Sequence, residues 1–195
     1  MKKLPEAFYL RKDVNLIARE LLGKYLITNL DGGLAGGMIM ETEAYEGITD
    51  RASHAYNNRR TARTEVMFGR GGRAYIYLCY GVHSLFNVVT NTEDIPHAIL
   101  VRGILPSDGL EIMKARTGKE KLGPSDGIGP GRLSGLLGIH YSLSGTSLLG
   151  DKIWIEDRNM LVKETEILTG PRIGVSYAGP DALLPYRYRL DIARL

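Results

Sequence analysis

Residues 74–80 read Ala-Tyr-Ile-Tyr-Leu-Cys-Tyr, an apolar and aromatic run of strand length and strand composition. Gly81 breaks the pattern, and residues 85–90 read as a returning strand, so the segment predicts a hairpin with Tyr80 close to its tip. An isolated hairpin is marginal in water, so the rest of the chain must supply a sheet and a cover for it. Further strands are expected over 25–29, 38–45, 98–105, 152–156 and 173–177. Asp31-Gly32-Gly33 is a turn signal between the first two, and Pro106 is expected to halt the third. Residues 46–73, polar and rich in Arg and Gly, read as a long loop with room for a short helix, and loops of that length are usually functional.

Helical segments are fewer. Asp13 can cap a helix whose apolar face is Val14, Ile17, Ala18 and Leu21, ending at Gly23. Ser107 or Asp108 can cap a second from Gly109 to about Arg116, and Gly129-Pro130-Gly131-Arg132-Leu133 looks like a third start, with proline in the first turn. Short strands, hairpins and a few helices predict an α+β fold with a mostly antiparallel sheet. With no linker and no internal repeat, one domain over 1–195 is expected.

Composition narrows the function classes. Apolar residues make up 44% and charged residues 24%, as in ordinary soluble proteins. No stretch reaches the length of a membrane span, and Met1-Lys2-Lys3-Leu4-Pro5-Glu6 has no apolar stretch behind its basic residues. An intracellular protein without a secretion signal is expected, in the cytoplasm or nucleoid if the source is bacterial or archaeal. The single cysteine, Cys79, allows no internal disulfide and reads as core. Net charge is +3, yet the segment from Arg51 to Arg73 holds six arginines against one acid, Glu65. That patch reads as a phosphate-binding surface, with Arg59, Arg60 and Arg63 at its centre, or as a solvated loop.

The candidate chemistry begins at Glu41-Thr42-Glu43-Ala44-Tyr45. On a strand, Glu41, Glu43 and Tyr45 share a face. Two carboxylates beside a phenol mark either a site or the solvated face of an edge strand. His54 follows in the loop, and its spacing from Glu41 and Glu43 matches no metal motif. Tyr75, Tyr77 and Tyr80, with Asn87 on the return strand, form an aromatic cluster beside the basic patch. Such rings pack in a core or stack on bases, and a tip residue can wedge into a base step. Arg102, inside the apolar run Ile99-Leu100-Val101-Arg102, needs a buried carboxylate partner or a place in a site.

Together these segments resemble the alkyladenine (3-methyladenine) DNA glycosylase family, from about Leu21 to about Arg187. The pieces that carry the resemblance are Glu41-Thr42-Glu43-Ala44-Tyr45, His54, Tyr75-Ile76-Tyr77-Leu78-Cys79-Tyr80-Gly81, Asn87, Gly129-Pro130-Gly131-Arg132-Leu133, Arg172-Ile173-Gly174-Val175 and Ala178-Gly179. The chain departs from the family's pattern at Val82-His83 and at Pro180-Asp181, where aromatic residues are expected. The resemblance implies a single mixed domain on a curved, largely antiparallel sheet with a protruding hairpin. It implies that Glu43 activates a water held by Arg102 and the carbonyl of Ile173. It implies that Tyr45, His54 and Tyr77 sandwich a flipped base, that Asn87 obstructs the amine of normal guanine, and that Tyr80 wedges the duplex.

The implied partner is double-stranded DNA containing damaged purines, bound by a monomer without cofactor or metal. A base within a duplex must be extruded before its glycosidic bond can be reached. An alkylated purine is cationic, so it would be drawn to tyrosine faces and leave readily. Hydrolysis through an oxocarbenium-like sugar then needs one carboxylate to activate water. No lysine lies in the constellation to form a Schiff base, Lys24 and Lys114 falling outside it, so hydrolysis without lyase activity is expected. Three other readings stay open from the residues alone: a catalytically silent DNA-binding module, a hydrolase of free nucleosides or small glycosides, and a structural protein.

Overall fold

A computed structural model describes residues 2–191. In chain order its elements are β1 (Lys2–Lys3), α1 (Glu6–Tyr9), α2 (Val14–Glu20), β2 (Tyr25–Leu30), β3 (Gly33–Tyr45), β4 (Ala74–Cys79), β5 (His83–Thr90), β6 (His97–Asp108), α3 (Leu110–Thr117), α4 (Pro130–Leu137), β7 (Ile153–Asp157), β8 (Ile167–Gly170) and β9 (Arg187–Leu190). The strands form one antiparallel sheet in the order β1-β7-β2-β3-β6-β5-β4, with β9 added to β3 and β8 to β9. The architecture is α+β, as expected. None of the described helices is long and apolar enough to cross a membrane.

Local chemistry explains most boundaries. The Asp13 carboxylate accepts the amide proton of Leu16 at 2.9 Å and caps α2. Asp31 and Gly32 both take positive φ, 53° and 76°, the left-handed pair that joins two strands tightly. β3 starts directly after this turn, earlier than its glycines suggest. Those glycines serve packing: a Cβ on Gly36 would stand 2.3 Å from Ile27 Cδ1, and one on Gly37 2.6 Å from the Leu105 carbonyl.

Three expectations need correction. β6 does not stop at Pro106 but continues to Asp108. Pro106 pairs with Gly37 beside a register shift, and at such an irregularity the missing N–H breaks no regular ladder. Consequently neither Ser107 nor Asp108 caps α3. Gly109 does so in a left-handed conformation, and Asp108 instead accepts two hydrogen bonds from Arg158. Residues 173–177 form no strand. Gly174, at φ 76°, turns the chain into a 3-10 stretch over Ser176–Leu183, and the C-terminal strands are β8 and β9.

The period-two alternation of the strands sorts side chains into two layers. Ala74, Ile76, Phe86, Val88, Ile99 and Val101 face the main core, which α2 and α4 cover. Phe86 is fully buried there, a burial that stabilises by roughly 1.5–3 kcal/mol. On the opposite face Tyr75, Val89 and Ala98 pack under the long loop through Ala55, Met67 and Phe68. In β3, Met40 and Ala44 join the main core, and the Thr42 hydroxyl donates to the Ala18 carbonyl of α2 at 2.9 Å. Glu41, Glu43 and Tyr45 are thereby left to the loop side of the sheet.

Candidate active site

The reading of Glu41 and Glu43 as a solvated edge face does not hold. β3 is paired along both edges, Glu41 is 7% exposed and Glu43 0%. A buried carboxylate needs partners, and these two have them. Arg102 Nε donates to Glu41 Oε1 at 3.1 Å and stands 3.4 Å from Glu43 Oε1. Arg187 Nε adds a hydrogen bond to Glu41 Oε1 at 2.5 Å. Glu43 also accepts the Tyr45 hydroxyl at 2.8 Å and the Ile173 amide N–H at 2.8 Å. Burial pushes the Glu43 carboxyl above its ordinary range, against the pull of Arg102, the Ile173 amide and Tyr45.

Above this carboxylate lies a cavity of about 300 Å³. Its lining includes Tyr45, His54, Tyr77, Asn87, Leu100 and Arg102, with Ile173, Val175 and Tyr177. Glu43 has no exposed surface of its own; Tyr45, Arg102 and Ile173, which touch it, all line the cavity.

Sheet order and register set where Tyr45 and Tyr77 stand relative to one another. Tyr45 rises from the end of β3 and Tyr77 from β4, with β6 and β5 between them. Three strand spacings separate them laterally by about 14 Å, and the pairings Tyr45–Ala98, Ala98–Val89 and Tyr77–Leu85 place Tyr77 four residues, about 13 Å, further along the strand direction. Asn87 of β5 and Leu100 of β6 pair across this gap and floor it. His54 and Tyr77 lie in edge contact, ring centroids 4.7 Å apart, and therefore share one wall. A flat base between them would need about 7 Å, twice the usual stacking distance. Tyr45 stands as the second wall.

The Asn87 amide is fixed. Both of its N–H groups are engaged by main-chain carbonyls, those of Tyr75 at 3.1 Å and Leu85 at 3.2 Å. His54 Nδ1 meets the Tyr75 hydroxyl at 2.9 Å, while Nε2 faces Arg63 at 3.5 Å. Burial, with the nearby charges of Arg63 and Arg59, lowers the His54 pKa to about 4, so the ring is neutral at physiological pH.

Sequence reasoning passed over the device that holds Ile173 in place. The Arg172 guanidinium is fully buried and grips the Asp50 carboxylate with both terminal nitrogens. It also donates to the carbonyls of Ala44 at 2.9 Å and Asp181 at 3.0 Å. One side chain thus ties β3, the long loop and the Ser176–Leu183 stretch together beside Glu43. The Arg-Ile-Gly-Val motif contained Arg172; nothing in the sequence singled out Asp50. Cys79 is also repositioned: it is half-buried at the end of β4 and lines the cavity rather than the core.

Tyr80 is 94% exposed beyond the end of β4, followed by Gly81 and Val82. Tyr80 and Gly81 take φ of 50° and 71°, consecutive left-handed residues, a conformation that costs a non-glycine about 1–2 kcal/mol. The arginine patch is less free than its sequence implies. Arg60 is tied to Glu65 and Asp94, and Arg70 to Glu6. Arg51, Arg59 and Arg63 instead line a cleft of about 440 Å³ that shares His54 and Tyr177 with the cavity. The described residues contain no group of three His, Cys, Asp or Glu side chains that could hold a metal ion.

A buried, partnered carboxylate under an aromatic cavity, beside a basic cleft, defines an enzyme site suited to a flat, planar ligand on a polyanion. The methylpurine-DNA glycosylase family model matches residues 7–193. A protein of Chlamydia abortus provisionally named 3-methyladenine DNA glycosylase is 45% identical over 97% of this chain and 98% of its own. Proteins of the same provisional name from Desulfitobacterium hafniense and Methanocella arvoryzae are 39% and 41% identical. They cover 98% and 96% of this chain, and 96% and 92% of their own. The chain belongs to the methylpurine-DNA glycosylase family, hydrolases of base excision repair. The resemblance seen in the motifs is thus borne out over more of the chain than the motifs span.

Proposed function

We propose that this protein is a 3-methyladenine DNA glycosylase that also takes other damaged purines, including 7-methylguanine and hypoxanthine, out of duplex DNA and hydrolyses the glycosidic bond. The carrying observation is Glu43, wholly buried yet touching three groups that line an aromatic cavity. A base extruded between Tyr45 and the His54–Tyr77 wall would place its sugar near Arg102 and Ile173. Glu43 would take the proton of the attacking water, and its negative charge would face the oxocarbenium-like sugar. Arg102 and the Ile173 carbonyl would hold that water, the Ile173 N–H being engaged by Glu43.

Asn87 would act as a rigid obstruction at the floor, its amide unable to turn aside from an extra exocyclic amine. Tyr80 would fill the space the base leaves, and Arg59 and Arg63 would meet phosphates of the strand. Hydrolysis without lyase chemistry is supported by the cavity lining, which contains no lysine; Lys24 is paired with Asp157 and Lys114 with Glu111. One aromatic cavity with one exposed tyrosine tip beside it suits a monomer acting on one lesion.

The test uses duplexes with one 3-methyladenine or one hypoxanthine, incubated with the wild type or with Glu43→Gln. Released base and abasic sites are quantified. The wild type should release base, and Glu43→Gln should bind the duplex but release base about 10²–10⁴-fold more slowly. Binding by both proteins with release by neither would favour a silent DNA-binding module.

A further inference from the structure

Both aromatic walls of the cavity are backed by a cation. The Arg63 guanidinium lies over the Tyr77 ring, 4.8 Å from its centroid. Arg63 does not line the cavity; it lines the clefts on the outer side of that wall, so it touches the face of Tyr77 turned away from the cavity. On the other wall, Arg172 lies over the Tyr45 ring at 4.7 Å. Arg172 is buried and also absent from the cavity lining, so it too sits behind its ring.

We propose that Arg63 and Arg172 set the charge selectivity of the base pocket, weakening its hold on cationic bases so that neutral damaged purines compete. This rests on the cavity being the base pocket. A cation is drawn to an aromatic face because the ring quadrupole is negative there. A guanidinium already on one face draws π density toward itself and leaves the opposite face less negative. It also repels a second cation through the ring, and the low-dielectric surroundings screen that repulsion poorly. A neutral, electron-rich purine suffers neither loss. Preference for a cationic lesion by simple stacking on electron-rich tyrosines is therefore blunted in this pocket.

The site is built to keep the same sign of effect on its third ring. His54 shares the wall with Tyr77 and is faced by Arg59 and Arg63 from the loop and by Tyr75 and Tyr77 from β4, with Tyr177 lining the same cavity and cleft. A neutral imidazole adds no charge of its own at the base.

Arg63 is exposed and can be changed without breaking a buried network, whereas Arg172 cannot. Single-turnover release of 3-methyladenine and of hypoxanthine is measured at pH 7.5 with protein below saturation, so that the rate includes capture of the base, using the wild type, Arg63→Gln and Arg63→Lys. At this pH His54 is neutral in the wild type. The ratio of the 3-methyladenine rate to the hypoxanthine rate should rise roughly two- to fivefold in Arg63→Gln and stay near the wild-type value in Arg63→Lys. Equal loss on both lesions, with the ratio unchanged, would assign Arg63 to phosphate contact alone and overturn the proposal. Release of neither base by the wild type would instead sink the glycosylase reading, and this inference with it.

Discussion

The Tyr45 hydroxyl donates to Glu43 Oε2 at 2.8 Å, so one wall of the cavity is hydrogen-bonded to the carboxylate beneath it. This bond favours the ionised carboxylate and opposes the upward push of burial. Tyr45→Phe keeps the ring and removes the donor. The Glu43 carboxyl should then rise further, and the acidic limb of a pH–rate profile for base release should move to higher pH. A hydrogen bond to a charged group corresponds to a shift of about one pH unit. A limb that stays in place would remove Tyr45 from control of Glu43.

Arg172 and Asp50 form a pair with side-chain exposures of 0% and 1%. Asp50→Ala leaves the guanidinium uncompensated, at a cost of roughly 3–5 kcal/mol. Thermal unfolding should move down by about 10 °C for a chain of this size. An unchanged midpoint would show that water or another group takes over the pairing.

His54 gives a stability window. Its folded-state pKa, about 4, lies below the ordinary 6.5. Between those values the unfolded chain binds more protons than the folded one, so stability is fully present above pH 6.5 and falls as pH drops toward 4. Denaturant titrations at steps across this window should show the decline, and His54→Gln should flatten it. Ring-proton NMR of His54 checks the midpoint directly.

Two neighbouring arginines should behave differently on DNA. Arg60 is held by Glu65 and Asp94, while Arg59 opens onto the cleft and pairs with no carboxylate among the described residues. Arg59→Gln should reduce the slope of log K against log salt by about 0.9, one phosphate contact. Arg60→Gln should change it less. Equal slopes would mean that Arg60 exchanges its carboxylates for phosphate on binding.

Tyr80→Ala should leave stability within about 0.5 kcal/mol, because the side chain is 94% exposed. Retained alanine strain at φ 50° keeps the tip comparable with the wild type. Slower base release from a lesion duplex, with unchanged melting, is the expected pair of results. Full activity would exclude a wedge at this position.

What could be read from the sequence was what local physics decides. The β4–β5 hairpin, the Asp31-Gly32 turn and the shared face of Glu41, Glu43 and Tyr45 follow from a two-residue period and from turn chemistry. The pairing of Arg60 and Arg70 could not be read from the patch because two of the counter-charges come from elsewhere: Glu6 precedes it and Asp94 follows it. Asp50 and Arg172 are 122 positions apart, and no spacing rule links them. Ile173 contributes a main-chain N–H, a group every residue except proline carries, so its identity signals nothing about that bond. β8 and β9 are too short to show an alternation, and the strand expected nearby was defeated by one left-handed glycine.

β3 is stitched on one edge to β2 and then β9, and on the other to β6. Adding or deleting one residue between Gly33 and Glu43 would rotate the carboxylates into the α2 core and turn Met40 or Ala44 toward the cavity. Relief would require a further bulge beside those β3 already makes against β6, since three neighbours hold the register. This thirteen-residue stretch thus acts as a ruler from which the buried carboxylates are measured.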